Sequence, residues 1–238
     1  MSVTPYSPEG SKREQVEQMF DAISPRYDLL NRVFSLGIDQ GWRRRVIRLL
    51  GREPVEHLLD VATGTADLAI LGSTKAARVT GVDISEGMLA KGREKVDRRG
   101  LAQRVVLQRA DSAALPFPDA TFDAVTVAFG VRNFEELERG LREMLRVLKP
   151  NGRLFVLEFS KPQRTPMRQL FRFYFHRVMP VVGRSVSRDS AAYTYLPKSV
   201  EAFPEGEAFL QLLRNAGGRE CTAEALTGGI ATLYIARK

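Results

Sequence analysis

Apolar positions along the chain change period repeatedly, and the changes cut it into strands and helices that alternate. An apolar run over 57–62 ends on Asp60 and Val61 and reads as a buried strand, and 65–73 reads as the helix that follows it. The segments RVTGVD (78–83), RVVLQR (104–109), DAVTVAF (123–129) and RLFVLEF (153–159) predict further strands. A helix over 85–99 falls between the first two of these. Another spans 134–148, where Leu137, Leu141, Met144, Leu145 and Leu148 recur at helical spacing before Lys149-Pro150-Asn151-Gly152 stops it. Two helices precede the first strand, at 12–24 and 40–50, the second carrying Trp42, Val46, Ile47, Leu49 and Leu50 among Arg43, Arg44, Arg45 and Arg48. The end of the chain predicts a helix near 205–216, a strand near 219–224 and a last strand at 229–236, the two strands joined by a short Thr-Gly-Gly turn. Alternation of this kind predicts an α/β fold with a parallel, doubly wound sheet, and the short final turn predicts an antiparallel ending.

The 238 residues suit one domain rather than two. We expect residues 1–50 to form an N-terminal helical cap and 161–203 an insertion facing substrate and membrane. No apolar run reaches the roughly 18 to 20 residues needed to span a bilayer, and the start lacks the features of a signal peptide, so the expected location is cytoplasmic. Cys221 has no second thiol, and His57 and His176 are the only histidines, which argues against an internal disulfide or a metal site.

The net charge of +8 is unevenly spread. Residues 161–188 hold seven basic residues (Lys161, Arg164, Arg168, Arg172, Arg177, Arg184, Arg188) and no acidic one, interleaved with aromatic and aliphatic side chains. Such a stretch suits an anionic membrane surface or a nucleic acid, and equally a helix packed on the core with a solvated arginine face.

The candidate chemistry sits where the strands end. Asp60, the small-residue turn through Ala62, Gly64 and Ala66, and the helix after it make the strand, turn and helix unit that holds adenosine-containing ligands at a sheet edge. Asp83 is placed to accept from both ribose hydroxyls, because a carboxylate only accepts and can take two donors, although it could instead cap the helix beginning near Ser85. Asp111 could accept from an adenine amine with the Ser112 backbone N–H serving a ring nitrogen, or could simply make a turn. The turn lacks G-x-G-x-x-G and no G-K-[ST] follows, so phosphate-bearing ligands fit poorly. S-adenosylmethionine has no phosphate; it needs the room beside Gly64 and a partner such as the Thr65 hydroxyl for its amino-acid end.

RVTGVDISEGML, ALPFPDATFDAV and LREMLRVLKPNGRLFVLEF resemble, in order and spacing, the successive motifs of the class I S-adenosylmethionine-dependent methyltransferases. That resemblance implies a seven-stranded, mostly parallel, doubly wound sheet with an antiparallel final strand. A narrower resemblance covers nearly the whole chain. FDAISPRYDLLNRVFSLGIDQGWRRRV, AFGVRNF, YTYLPKSVEAFP and GGIATLYIARK look like segments of the ubiquinone/menaquinone biosynthesis C-methyltransferase family. It implies methylation of a ring carbon of a polyprenylated hydroquinone. It places Thr65, Asp83, Asp111 and Ser112 on cofactor-contact positions, with Ala128 on a further one where some members have Ser. The turn ATGTAD departs from the Gly-richer GGTGD form and resembles the demethylmenaquinone branch. The expected reaction is therefore demethylmenaquinol to menaquinol, with the ubiquinone-pathway benzoquinol as the alternative.

Methyl transfer of this kind is an in-line displacement at a sulfonium carbon, so positioning two large reactants supplies much of the catalysis. The ring carbon becomes nucleophilic when its neighbouring hydroxyl loses a proton, so a base or a cation that holds the phenolate is required. Arg132 in GVRN is a candidate for the phenolate, against a salt-bridge role. Tyr27, Asp28 and Asn31 belong to a segment expected to close over the cofactor, where the Tyr27 ring could face the sulfonium. Tyr195 and His176 are further candidates, and the base is unassigned. Because a polyprenyl quinol lives in the bilayer, residues 161–188 are expected to form an interfacial lid with peripheral contact to anionic membrane. Homo-oligomerisation is left open. The competing readings are a methyltransferase-like module binding RNA through Arg43 to Arg45 and the later arginines, for which no nucleic-acid motif is present, and a like-folded enzyme acting on another lipid or phenol.

Overall fold

The computed structural model describes residues 3–174, 177 and 191–238. Seven strands form one sheet: β1 (Val55–Val61), β2 (Ala76–Asp83), β3 (Val105–Arg109), β4 (Phe122–Ala128), β5 (Leu148–Phe159), β6 (Arg219–Leu226) and β7 (Ala231–Arg237). Their order across the sheet is β3-β2-β1-β4-β5-β7-β6. β1 pairs in parallel with β2 and β4, β2 with β3, and β4 with β5, whereas β7 runs antiparallel to both β5 and β6. This is the doubly wound sheet with a reversed last strand that the alternation predicts. Strand order changes direction between β1 and β4, and the crevice at that point is where such sheets take ligands.

Burial explains the continuous apolar runs. Successive strand residues point to opposite faces, and helices cover both, so Leu58 joins one core cluster with Trp42, Val46, Leu50 and Leu89 while Leu59 joins the other with Phe122, Leu141, Met144 and Phe209. The helices described are α1 (Lys12–Ile23), α2 (Tyr27–Ser35), α3 (Ile38–Leu50), α4 (Asp67–Gly72), α5 (Glu86–Arg98), α6 (Leu137–Val147), α7 (Met167–Phe173), α8 (Ala191–Ala202) and α9 (Glu207–Asn215). Side-chain caps start two of them: Ser11 Oγ accepts from the Glu14 N–H and Ser85 Oγ from the Met88 N–H.

Three differences from the sequence expectation have local causes. α2 lies between the two expected N-terminal helices, in a part of the helical cap where the apolar pattern marks no element of its own, and Gly37 at φ +75° separates it from α3. α4 starts two residues late because Ala66 is left-handed. β5 already pairs at Leu148 with Phe122, then resumes with Arg153 opposite Ala124, so Lys149-Pro150-Asn151-Gly152 loops out within the strand rather than preceding it, with Asn151 at φ +64°. The span 161–203 contains α7, none of whose residues is fully buried, with Phe171 packed in a small cluster beside buried Val200 of α8. Residues 175–176 and 178–190, which include much of the expected lid, lie outside the described residues. His176 lies outside the described residues.

Candidate active site

The carboxyl ends of β1, β2 and β4, roofed by α1 and α2, enclose three adjoining cavities. The turn after β1 follows a left-handed path normally reserved for glycine, with Ala62 at φ +51°, Gly64 at +55° and Ala66 at +66°. The alanines therefore do not change the backbone route; their methyls tighten it. A Cβ on Gly130 would stand 2.5 Å from Ala62 Cβ, so that position admits only glycine.

The first cavity, of about 110 Å³, is lined by Gly64, Asp83, Asp111, Ser112 and Ala128, and by Met88 among the apolar residues. Asp83 Oδ2 accepts from the Gly64 N–H at 2.8 Å and Oδ1 from the Ser85 N–H at 2.9 Å. It supports the start of α5 while lining the cavity. Burial pushes its pKa up to about 6, and the backbone N–H groups of Ser85, Gly64 and Ile84 oppose that rise. Asp111 accepts from Ala113 N–H and from Arg13 Nη1, both at 2.9 Å. Its turn role and its position on the cavity wall thus coexist.

A smaller, polar cavity lies beyond Gly64, lined by Tyr27, Arg43, Asp60, Thr65 and Asp67. The Thr65 hydroxyl donates to Asp28 Oδ1 at 2.6 Å, and Lys95 Nζ reaches Thr65, Asp28 and Asp67. Thr65 therefore ties α2 to the turn and to α5, which is how Asp28 closes the site. Asp60 is fully enclosed and accepts from the hydroxyls of Thr63 and Thr126 at 2.6 Å each; burial lifts its pKa to about 6.

The third cavity, about 240 Å³, is mostly apolar, with Trp42, Phe129, Phe159, Phe171 and Leu196 among its walls. Its polar groups include Asn31, Asp39, Arg43, Arg132, Asn133 and Tyr195. Arg132 Nη1 donates to Glu158 Oε1 at 2.9 Å and also to the Phe129 carbonyl, and its guanidinium lies 5.5 Å from the centre of the Phe159 ring. Its Nε is buried without a partner among the described residues. The salt bridge and the cavity position expected as alternatives both hold for this side chain. The Tyr195 hydroxyl donates to Asn133 Oδ1 at 3.1 Å, and burial pushes its pKa up to about 12. Tyr27 lines all three cavities, and burial raises its pKa as well.

Sequence reasoning did not single out Asp39, Asn133 or Glu158, and grouped Arg43 with Arg44 and Arg45 as a basic run for a competing RNA-binding reading. The usable signal was the i,i+4 spacing of Asp39 and Arg43, which places opposite charges together on one helix. Arg43 is buried and bonded to Asp39, Arg45 is held by Glu224 at 3.0 Å, and Arg44 is exposed. The expected basic run is split three ways, which removes the continuous face an RNA backbone would need.

A pair of strand-end carboxylates lining one cavity suits hydroxyl and amine donors of an adenosine, and the absence of a cluster of cations there fits a ligand without phosphate. A large apolar chamber meets that site through Tyr27, Phe129 and Asn133. Residues 9–238 match the model of the ubiE/COQ5 methyltransferase family. The demethylmenaquinone methyltransferase of Bacteroides fragilis is 48% identical, with 99% of this chain and 97% of that protein covered. The ubiquinone/menaquinone biosynthesis C-methyltransferase UbiE of Geobacter sulfurreducens is 45% identical over 95% of this chain and 90% of that protein. The crystal structure of the [4+2]-cyclase SpnF superposes with a TM-score of 0.68 at 22% identity, covering 97% and 98% of the two chains, a likeness of fold.

Proposed function

We propose that this chain, which belongs to the ubiE/COQ5 methyltransferase family, methylates a ring carbon of demethylmenaquinol. It is an S-adenosylmethionine-dependent C-methyltransferase of quinone biosynthesis. The observation that best supports the acceptor is the apolar chamber lined by Arg132 and joined to the adenosine cavity at Tyr27, Phe129 and Asn133.

The cofactor supplies an electrophilic methyl group on a sulfonium. The chain's own groups account for the rest. Asp83 would accept from the ribose hydroxyls, and Asp111, with Ser112, would take the adenine edge. Gly64 lets the turn approach the ligand, with Tyr27 across from it. Ala128 closes the cavity floor between β4 and the turn. In the apolar chamber the unpartnered Nε of Arg132 is a buried donor awaiting an acceptor, and a hydroquinol oxygen is one. A guanidinium in a dry, aromatic setting lowers the cost of removing the hydroxyl proton, which raises electron density at the adjacent ring carbon. Asn133 and Tyr195 form a hydrogen-bonded pair that can position the second ring oxygen. Tyr27, at the junction, fixes the line along which the two reactants meet and excludes water from it.

The chamber mouth supports entry from a membrane. Leu36, Ile38 and Leu170 line the cavity and are exposed, Phe173 lies one turn beyond Leu170, and Arg168, Arg172 and Arg177 are exposed nearby in sequence. No helix of the described residues is long and apolar enough to cross a membrane. Contact would therefore be peripheral, on the inner face of the cytoplasmic membrane. The test is incubation of the full chain with labelled S-adenosylmethionine and, separately, short-chain demethylmenaquinol and a methoxy-polyprenyl benzoquinol. Label in the naphthoquinol product is expected. Label in neither product rejects the function, and label in the benzoquinol alone reassigns the substrate.

A further inference from the structure

The small polar cavity beyond Gly64 has a cation in its wall that the reading above leaves without a task. Resting on the cofactor assignment, we propose that Arg43 binds the α-carboxylate at the amino-acid end of S-adenosylmethionine, with Asp39 as the residue that positions it.

The charge pattern of the site motivates this. The adenosine end is lined by the carboxylates Asp83 and Asp111, which suit hydroxyl and amine donors and repel an anion. The cofactor's one anionic group must therefore sit at the other end, beside a cation. In the small cavity Arg43 is that cation among the described residues. Lys95, Arg13 and Arg132 do not line this cavity: Lys95 pairs with Asp28 and Asp67, Arg13 lies on the adenosine cavity and Arg132 on the apolar chamber.

Arg43 is also built for the role. Its side chain is 8% exposed, and its guanidinium carbon lies 5.4 Å from the centre of the Phe129 ring, which walls both the adenosine cavity and the apolar chamber. Among the described residues its hydrogen bond is the one from Nη1 to Asp39 Oδ2, one turn earlier on α3. That bond fixes the plane of the guanidinium and leaves further N–H donors for a second carboxylate. Ser35 Oγ donates to the other oxygen of Asp39 at 2.6 Å, so the anchor is itself held. The positive charge is felt by Asp60 and by the Tyr27 hydroxyl, which locates it between the floor and the roof of the cavity. Arg43 borders the apolar chamber too, so the rival task is holding a quinol oxygen.

Two ligands separate these tasks. S-adenosylhomocysteine has the amino-acid end; 5′-methylthioadenosine has the same adenosine without it. Titration calorimetry of the full-length protein is expected to show S-adenosylhomocysteine binding on the order of tenfold or more tighter than methylthioadenosine, the size of a charge-assisted hydrogen bond in a desolvated site. Arg43→Gln is expected to reduce that ratio to about twofold while methylthioadenosine affinity holds, and Arg43→Lys to keep part of the ratio. The double variant Asp39→Asn/Arg43→Gln removes both charges, so no lone carboxylate is left buried, and should match Arg43→Gln. A ratio that survives in the double variant overturns the proposal, as does an equal loss for both ligands or an effect confined to the quinol KM. Failure of the wild-type protein to bind S-adenosylhomocysteine would instead reject the cofactor assignment.

Discussion

Glu158 Oε1 sits 2.9 Å from Arg132 Nη1, and its side chain has no exposure while that of Arg132 has 9%. Burial raises the Glu158 pKa, and the guanidinium and two backbone N–H groups oppose the rise, so the pair is stable only as a unit. Removing one partner leaves the other charge buried. Glu158→Ala is expected to destabilise the protein by about 3 to 5 kcal/mol, read as a fall in the denaturant midpoint. Glu158→Gln keeps the shape and a hydrogen-bond acceptor and should cost less stability. It frees Arg132 to shift, so kcat is expected to fall more than the quinol KM rises.

Asp83 gives two pH dependences of opposite sign. Its pKa in the folded protein is about 6, above its ordinary value of 3.8. Its protonated form is thus favoured by folding, so its contribution to stability is complete below the ordinary value and is lost as pH rises through about 6. Ribose hydroxyls need the ionised form, so affinity for S-adenosylhomocysteine should fall as pH drops below about 6 and level off above it. Asp83→Asn is expected to weaken binding and to flatten that affinity profile. The stability slope should shrink without vanishing, because Asp60 has the same displaced pKa of about 6. An affinity profile that keeps its inflection in Asp83→Asn would assign the titration to another group.

Ala62 and Ala66 share the left-handed conformation but not their surroundings. A non-glycine residue there costs roughly 1 to 2 kcal/mol, and a glycine gives back part of that through the freedom it adds to the unfolded chain. Ala62 is half-buried at the cavity edge, so Ala62→Gly should raise Tm by a few degrees. Ala66 is 0% exposed, and losing its methyl forfeits about 0.8 kcal/mol of burial. Ala66→Gly is therefore expected to leave Tm nearly unchanged. Thermal melts of both variants check the pair.

The sheet was legible because its evidence is periodic and local: the central strands β1, β4 and β5 are mostly buried and read as apolar runs, and β1, β2 and β3 end at or beside Asp60, Asp83 and Asp111. Those ends lie at one edge by topology, so it could be read without side-chain geometry that Asp83, Asp111 and Ser112 line one cavity. What could not be read is held by contacts distant in sequence. The Thr65 hydroxyl looked free for a ligand, yet Asp28 and Lys95, 37 and 30 residues away, claim it. Arg43 looked like one of a basic run with Arg44 and Arg45, and only the docking of α3 against Phe129 buries it. Glu158 looked like an ordinary polar residue in β5 until the turn carrying Arg132 folds over it. The turn itself was legible from Ala62, Gly64 and Ala66, but not that both alanines take the left-handed conformation that glycine normally marks.

The proposed membrane contact rests on where the chamber opens. A polyprenyl chain is excluded from water, so a substrate of that kind would enter from the lipid phase through the chamber mouth. Leu36 and Leu170 line that mouth and are 76% and 57% exposed, and Phe173 is 62% exposed. Burying a side chain of this size is favourable by roughly 1.5 to 3 kcal/mol, and each nearby cation adds about 1 kcal/mol on an anionic surface. Neither part is sufficient alone, since weak apolar insertion and screened charge each give reversible contact. The full protein is therefore expected to float with anionic liposomes at low salt and to be retained less as salt rises. Arg168→Glu/Arg172→Glu/Arg177→Glu should abolish flotation at all salt concentrations by reversing the attraction. Leu170→Glu/Phe173→Glu should reduce it even at low salt while leaving S-adenosylhomocysteine binding intact. Wild-type protein that stays unbound at low salt, or unchanged binding by the arginine variant, would mean the quinol arrives by another route.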